Sequence, residues 1–163
     1  MHRQQSHTQV DTLGQRRINV SLPELMQAHK ATTWSRVCLL REGIPARVIP
    51  ILAPKLGWSQ ARLIQTMALP LSTVRKKISN GEKLNASQSE RLLALVDLLA
   101  AAERIAERAG APEDFDVCAW LGTWLLAPAP SLGGRSPASC FDTLEGFALV
   151  KGLLGALEHG IYL

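Results

Sequence analysis

Four histidines and three cysteines are the residues best suited to nucleophilic or metal chemistry, and their spacing serves neither. His2, His7 and His29 fall in the first 30 residues and His159 stands alone near the other end. None pairs with a serine or cysteine in a nucleophile motif. Cys38, Cys118 and Cys140 form no C-x-x-C and no Cys/His pair at zinc spacing, so they read as reduced thiols. Gly133-Gly134 lacks the flanking strand and helix that a phosphate cradle needs. The expectation is a chain that is not an enzyme and that uses no cofactor and no metal.

The pattern with functional content is basic. Ser59-Gln60-Ala61-Arg62-Leu63-Ile64, a turn ending in Leu69-Pro70, and Leu71-Ser72-Thr73-Val74-Arg75-Lys76-Lys77-Ile78 read as two short helices about a tight turn, a helix-turn-helix. The second helix would enter the major groove by its N-terminus. Ser72 and Thr73 would reach base edges or a phosphate there, while Arg75, Lys76 and Lys77 offer cations to the DNA backbone and Val74 and Ile78 face inward. Charge distribution agrees: residues 1–90 hold 13 Lys and Arg against 5 Asp and Glu, whereas residues 91–163 hold 5 against 9. A basic half suits an anionic partner, although a solvated helix face would look the same.

The elements that must position these residues are all helical, since no period-2 alternation of useful length appears. Residues 1–20 are polar and aperiodic and are expected to form a flexible tail whose Arg16 and Arg17 touch phosphates. Ser21 and Glu24 form a capping-box pattern for a helix over 22–29, and a second helix runs from Thr33 to Gly43. Residues 44–56 are apolar at helical spacing but carry Pro45, Pro50 and Pro54, which predicts a kinked or broken helix. Ser72 or Thr73 caps the recognition helix, which ends at Asn80-Gly81.

From Ser87 to Ala109 leucines and alanines run nearly all round one long helix, the mark of burial between domains or between subunits. A short helix over 115–126 carries Trp120 and Trp124 one turn apart, with Trp120 read as a core anchor. A loop over 128–137 and a last helix over 143–158 complete the chain. The predicted organisation is a tail (1–20), a helix-turn-helix domain (21–86), a connecting and dimerising helix (87–109) and a second helical domain (110–163). Mean hydropathy is +0.06. Neither a signal peptide nor an apolar run of the ~18 residues needed for a membrane span is read, so a cytoplasmic protein is expected.

These residues together resemble the Xre/MbcA/ParS antitoxin family over roughly residues 35–163. The carriers are Ser72-Thr73-Val74 with Lys76-Lys77, then Gly81, Leu84 and Ser89-Glu90-Arg91-Leu92. They continue with Ala119-Trp120-Leu121, Pro128, Leu132-Gly133-Gly134, Ser136-Pro137, Gly146, Val150 and Gly160. Ser136-Pro137 also reads physically as an N-cap followed by a first-turn proline. The resemblance implies a partner toxin of the RES type that consumes NAD or transfers ADP-ribose from it, and a C-terminal region that covers the toxin's active-site cleft. Autorepression at operator DNA goes with this reading, and a homodimer through the long helix from Ser89 to Ala109 is expected because operator readout by a helix-turn-helix uses two half-sites. Candidate toxin-binding residues are Leu132, Gly133, Gly134 and Arg135, and then Glu158, His159, Gly160, Ile161 and Tyr162. The alternative is a plain helix-turn-helix regulator whose second half senses a small ligand. A third reading keeps the antitoxin but treats its helix-turn-helix as a scaffold without DNA affinity.

Overall fold

The computed structural model describes residues 22–158, which form eight α-helices and three short 3₁₀ turns. Among the described residues there is no strand, and only an isolated antiparallel bridge joins Pro45 to Lys83. The all-α expectation holds. The tail, the Ser21 cap and the residues His159, Gly160, Ile161 and Tyr162 lie outside the described residues.

Helix α1 (Leu22–Gln27) passes into a 3₁₀ turn (Ala28–Lys30), so the regular helix stops short of the expected 22–29. Helix α2 (Thr33–Glu42) starts where Thr32 accepts a hydrogen bond from the Ser35 N–H and stops at Gly43. Helix α3 (Val48–Lys55) corrects the expectation of a kinked or broken helix: it is continuous and buries Val48, Ile49, Leu52 and Ala53. The prolines are tolerated because of where they fall. Pro50 is the third residue of the helix, where a backbone N–H has no intrahelical acceptor to lose. Pro54 sits in the last turn, so its missing donor removes a single bond at an end.

Helix α4 (Gln60–Thr66) is capped by Ser59, whose hydroxyl accepts from the Arg62 N–H. Helix α5 (Leu71–Asn80) corrects the expected cap. Pro70 is its N-cap, and Ser72 and Thr73 are already inside the first turn. At its other end Gly81 is left-handed, as the Asn80-Gly81 pair implied.

Helix α6 (Ala86–Arg108) is the axis of the molecule. Asn85 and Gln88 close a reciprocal capping box at its start. Leu92, Leu93, Leu95, Val96, Leu98 and Leu99 are all buried, each contributing on the order of 2 kcal/mol of apolar burial. Their cover comes from the chain itself, since α1, α2, α7 (Val117–Leu126) and α8 (Leu144–Glu158) all pack on α6. One buried cluster runs from Leu25 to Leu154 through both halves.

Opposite ends of α6 meet different neighbours. Arg91 donates from Nη1 to the carbonyls of Met67 (2.9 Å) and Phe141 (3.4 Å) and so joins the α4–α5 turn to the segment before α8. Arg104, Ile105 and Arg108 instead face Lys151 and Gly155. Helices α6 and α8 therefore run parallel.

Candidate functional site

The helix-turn-helix is held rigid by its own core. Leu63 and Ile64 of α4, Met67 and Leu69 of the turn, and Val74 of α5 are all buried. Ala68 takes a left-handed conformation (φ 50°) at the sharpest point of the turn. The turn closes through Ala68 N–H to Gln65 O (2.9 Å) and Leu69 N–H to Ile64 O (3.0 Å).

That packing sets the outer face of α5. Ser72, Thr73, Arg75 and Lys76 are exposed, with Ser72 and Thr73 in the first turn, where unpaired backbone N–H groups and the helix dipole favour an anion. Lys77 differs from the others. It is half-buried, and its Nζ donates to the Lys83 carbonyl at 2.8 Å, tying the end of α5 to the segment leading into α6. The expected inward residues behave unequally, with Val74 fully buried and Ile78 half-buried.

The other candidate residues do not converge. Leu132, Gly133, Gly134 and Arg135 lie in a loop closed by Ala129 N–H to Arg135 O and Gly134 N–H to Ala129 O, both 3.0 Å. Gly133 and Gly134 are both left-handed (φ 63° and 82°), which permits so short a reversal. Pro137 opens the following 3₁₀ turn (Pro137–Cys140) with Ser136 as N-cap, although the Ser136 side chain makes no capping bond.

This loop returns towards the helix-turn-helix. Ser136, Ala138, Ser139 and Asp142 share a cavity of about 450 Å³ with Gln65, Thr66, Ala68 and Leu126. Glu158, in contrast, is the last residue of α8, a helix ~20 Å long at 1.5 Å per residue. The loop group and the α8 group thus belong to opposite ends of the C-terminal half.

Sequence reasoning missed Trp58 and Arg91, which join the two halves. Trp58 is buried and its indole N–H donates to the Gly122 carbonyl. No local motif marks Trp58, and Arg91 stands out only as part of the Ser89-Glu90-Arg91-Leu92 run, which gives it no role of its own. Trp120 is half-buried rather than a full core anchor. It stacks on Trp124 (6.3 Å between centroids, 16°) and meets Phe115 at 6.3 Å.

The Cys118 thiol is pushed above its ordinary 9.0, first by burial and then by the carboxylates of Asp116 and Glu103, with Lys55 opposing. It is therefore a neutral thiol at pH 7. Among the described residues no helix is long and apolar enough to cross a membrane.

Comparison with known proteins follows the same division. Residues 35–97 match the antitoxin Xre-like helix-turn-helix domain, and residues 118–160 match the antitoxin Xre/MbcA/ParS C-terminal toxin-binding domain. A Prs ADP-ribosylating antitoxin from a Sphingobium species is 31% identical over 82% of this chain and 84% of its own length. An antitoxin Xre from Yersinia enterocolitica is 26% identical over 63% of this chain and 64% of its own length. A second antitoxin Xre, from Photorhabdus laumondii, is 24% identical over 76% of this chain and 78% of its own length. The chain belongs to the Xre/MbcA/ParS antitoxin family and is the antitoxin of a toxin-antitoxin pair, with a cognate toxin as its partner.

Proposed function

We propose that this antitoxin neutralises a RES-type toxin that consumes NAD or transfers ADP-ribose from it, by laying its C-terminal half over the toxin's active-site cleft. The observation that carries this reading is the 31% identity, over 82% of the chain, with a protein whose name ties it to ADP-ribosylation of Prs. Covering a cleft requires shape and charge and no catalytic group of the antitoxin's own. That fits a half whose one cysteine with a shifted pKa is held as the neutral thiol.

The same reading gives α4 and α5 to operator DNA and to repression of the antitoxin's own operon. Ser72, Thr73, Arg75 and Lys76 form the contact face, with Lys77 at its edge. A homodimer would bring two recognition helices to two half-sites. The sequence leads to pairing through α6; its cover by α1, α2, α7 and α8 of the same chain favours a pairing surface on other elements.

The test is co-expression with the product of the adjacent gene, purification through a tag on the antitoxin, and an NAD-consumption assay before and after the two are separated. The expected result is a co-purified partner that is silent in the complex and consumes NAD, or transfers ADP-ribose, once freed. A freed partner that leaves NAD untouched, in the absence and presence of an acceptor protein, would refute the assigned toxin chemistry.

A further inference from the structure

The C-terminal half is acidic overall, yet three of the five cations in residues 91–163 gather in one place. Arg104 and Arg108 of α6 and Lys151 of α8 line a groove of about 150 Å³, with Ala101, Ile105 and Gly155 as its small and apolar walls. The other two cations are elsewhere. Arg91 is engaged by the Met67 and Phe141 carbonyls, and Arg135 lies in the loop before the Pro137 turn.

We propose that this groove receives a carboxylate side chain from an acidic segment of the partner toxin. The inference rests on the antitoxin reading above and deepens it by naming the chemistry that one surface recognises. Three steps lead to it.

The first is that two of these cations, Arg104 and Lys151, lack an internal carboxylate partner. Among the described residues neither Arg104 nor Lys151 has a carboxylate within ion-pair distance, whereas Arg36 and Lys83 each have one. Arg104 is also half-buried, so its charge is partly removed from water beside other charges of the same sign. Like charges held together on a folded surface oppose folding, and an incoming carboxylate relieves that repulsion.

The second is size. A groove of about 150 Å³ takes a single carboxylate or phosphate-sized group and its immediate stem, well short of the 300–1,000 Å³ typical of drug-sized or cofactor sites. A dinucleotide does not fit.

The third is position. Arg104 lies 13 residues beyond Arg91 along α6, which places the groove ~20 Å from the helix-turn-helix end. It is too far along α6 to share the phosphates that α5 would touch. Lys151 and Gly155 fall inside the stretch matching the toxin-binding domain, while Arg104 and Arg108 fall between the two matched stretches. The groove thus lies beside the toxin-binding half and away from α5, a position that favours a protein carboxylate over a nucleic acid.

The test uses the full chain and its purified toxin, with association rate and affinity measured across a salt series. Arg104→Glu and Lys151→Glu are the charge-reversal variants, and Arg104→Lys is the conservative control. Each reversal is expected to weaken binding on the order of 10-fold, chiefly through slower association, and to flatten its salt dependence, while Arg104→Lys stays close to the parent. Lys151 is exposed, so Lys151→Glu carries the test even where Arg104→Glu melts early.

Reversal variants that bind with the parent's rate and salt dependence overturn the groove proposal alone. A parent chain that binds no toxin overturns the antitoxin reading beneath it and this proposal with it. Millimolar inorganic phosphate that raises the melting temperature of the free parent, but not of Lys151→Glu, overturns it in favour of a small-anion site.

Discussion

Trp58 donates its indole N–H to the Gly122 carbonyl at 3.1 Å, a buried hydrogen bond that spans 64 residues of sequence and joins the segment before α4 to the middle of α7. The approach is possible because Gly122 has no side chain. A Cβ there would overlap the Leu56 carbonyl. The helix-turn-helix and the toxin-binding half are therefore packed backbone against backbone at this point, and movement of one is transmitted to the other without an intervening flexible side chain.

Gly122→Ala is expected to destabilise the chain by about 3 kcal/mol, because the clash is with main chain and can be relieved only by separating α3 from α7. Urea unfolding followed by circular dichroism checks this. Trp58→Phe, which keeps an aromatic ring but loses the donor and part of the buried indole volume, should cost about 2 kcal/mol. Equal stability of Gly122→Ala and the parent would show that the two halves do not pack as described.

Arg36 makes a two-pronged ion pair with Asp97, Nη2 to Oδ2 at 2.6 Å and Nη1 to Oδ1 at 3.1 Å, while Nη1 also donates to the Ala28 carbonyl at 3.1 Å. It fastens α2 and the turn after α1 to the middle of α6. The pair is partly exposed (26% and 21%), so solvent screening limits it. Arg36→Ala should cost about 1 kcal/mol and Asp97→Ala a similar amount, with the double variant less than additive. An additive double-mutant cycle in thermal or urea unfolding would deny the coupling.

Much of this fold was legible because its signals are local. The Leu69-Pro70 break, the left-handed Gly81 and the span of α8 each rest on a few adjacent residues whose backbone preferences agree. The failures are of a different kind. Three prolines in 44–56 suggested a broken helix, yet Pro45 precedes α3, Pro50 falls in its first turn and Pro54 in its last. Ser72 and Thr73 are good caps, but Pro70 already fixes φ near its ring value (−68°) and starts α5 earlier.

The candidate site was less legible than the fold. The apolar girth of α6 showed that something covers it, and no periodicity reveals that the cover is the chain's own α1, α2, α7 and α8. Only the family resemblance groups Leu132–Arg135 with the α8 terminus, and the length of α8 holds them apart. Arg104 and Arg108 stand visibly one helical turn apart, but Lys151 joins them only through the parallel packing of α8.

Arg75 and Lys76 are exposed on α5 and should contact operator phosphates. Arg75→Ala and Lys76→Ala are each expected to weaken binding to promoter DNA and to reduce the slope of log affinity against log salt by about 0.9 per lost contact. Thermal stability should stay near that of the parent, since both side chains leave the core untouched. Binding whose salt slope is flat in the parent would instead mark the helix-turn-helix as a scaffold without DNA affinity.

The residues that follow α8, His159-Gly160-Ile161-Tyr162-Leu163, combine a glycine with three apolar side chains, a composition suited to entering a cleft. If they act as the plug, their removal should abolish neutralisation while leaving the melting temperature and DNA affinity of the chain unchanged. The check is growth of cells that express the toxin alongside either the parent or a chain ending at Glu158. Because the Leu132–Arg135 loop sits at the other end of α8, substitutions there, such as Leu132→Ala with Arg135→Ala, report on a separate contact and should lower affinity without reproducing the full loss. Full protection by the truncated chain would transfer the blocking role from the tail to that loop and to the exposed face of α8 around Leu144 and Leu149.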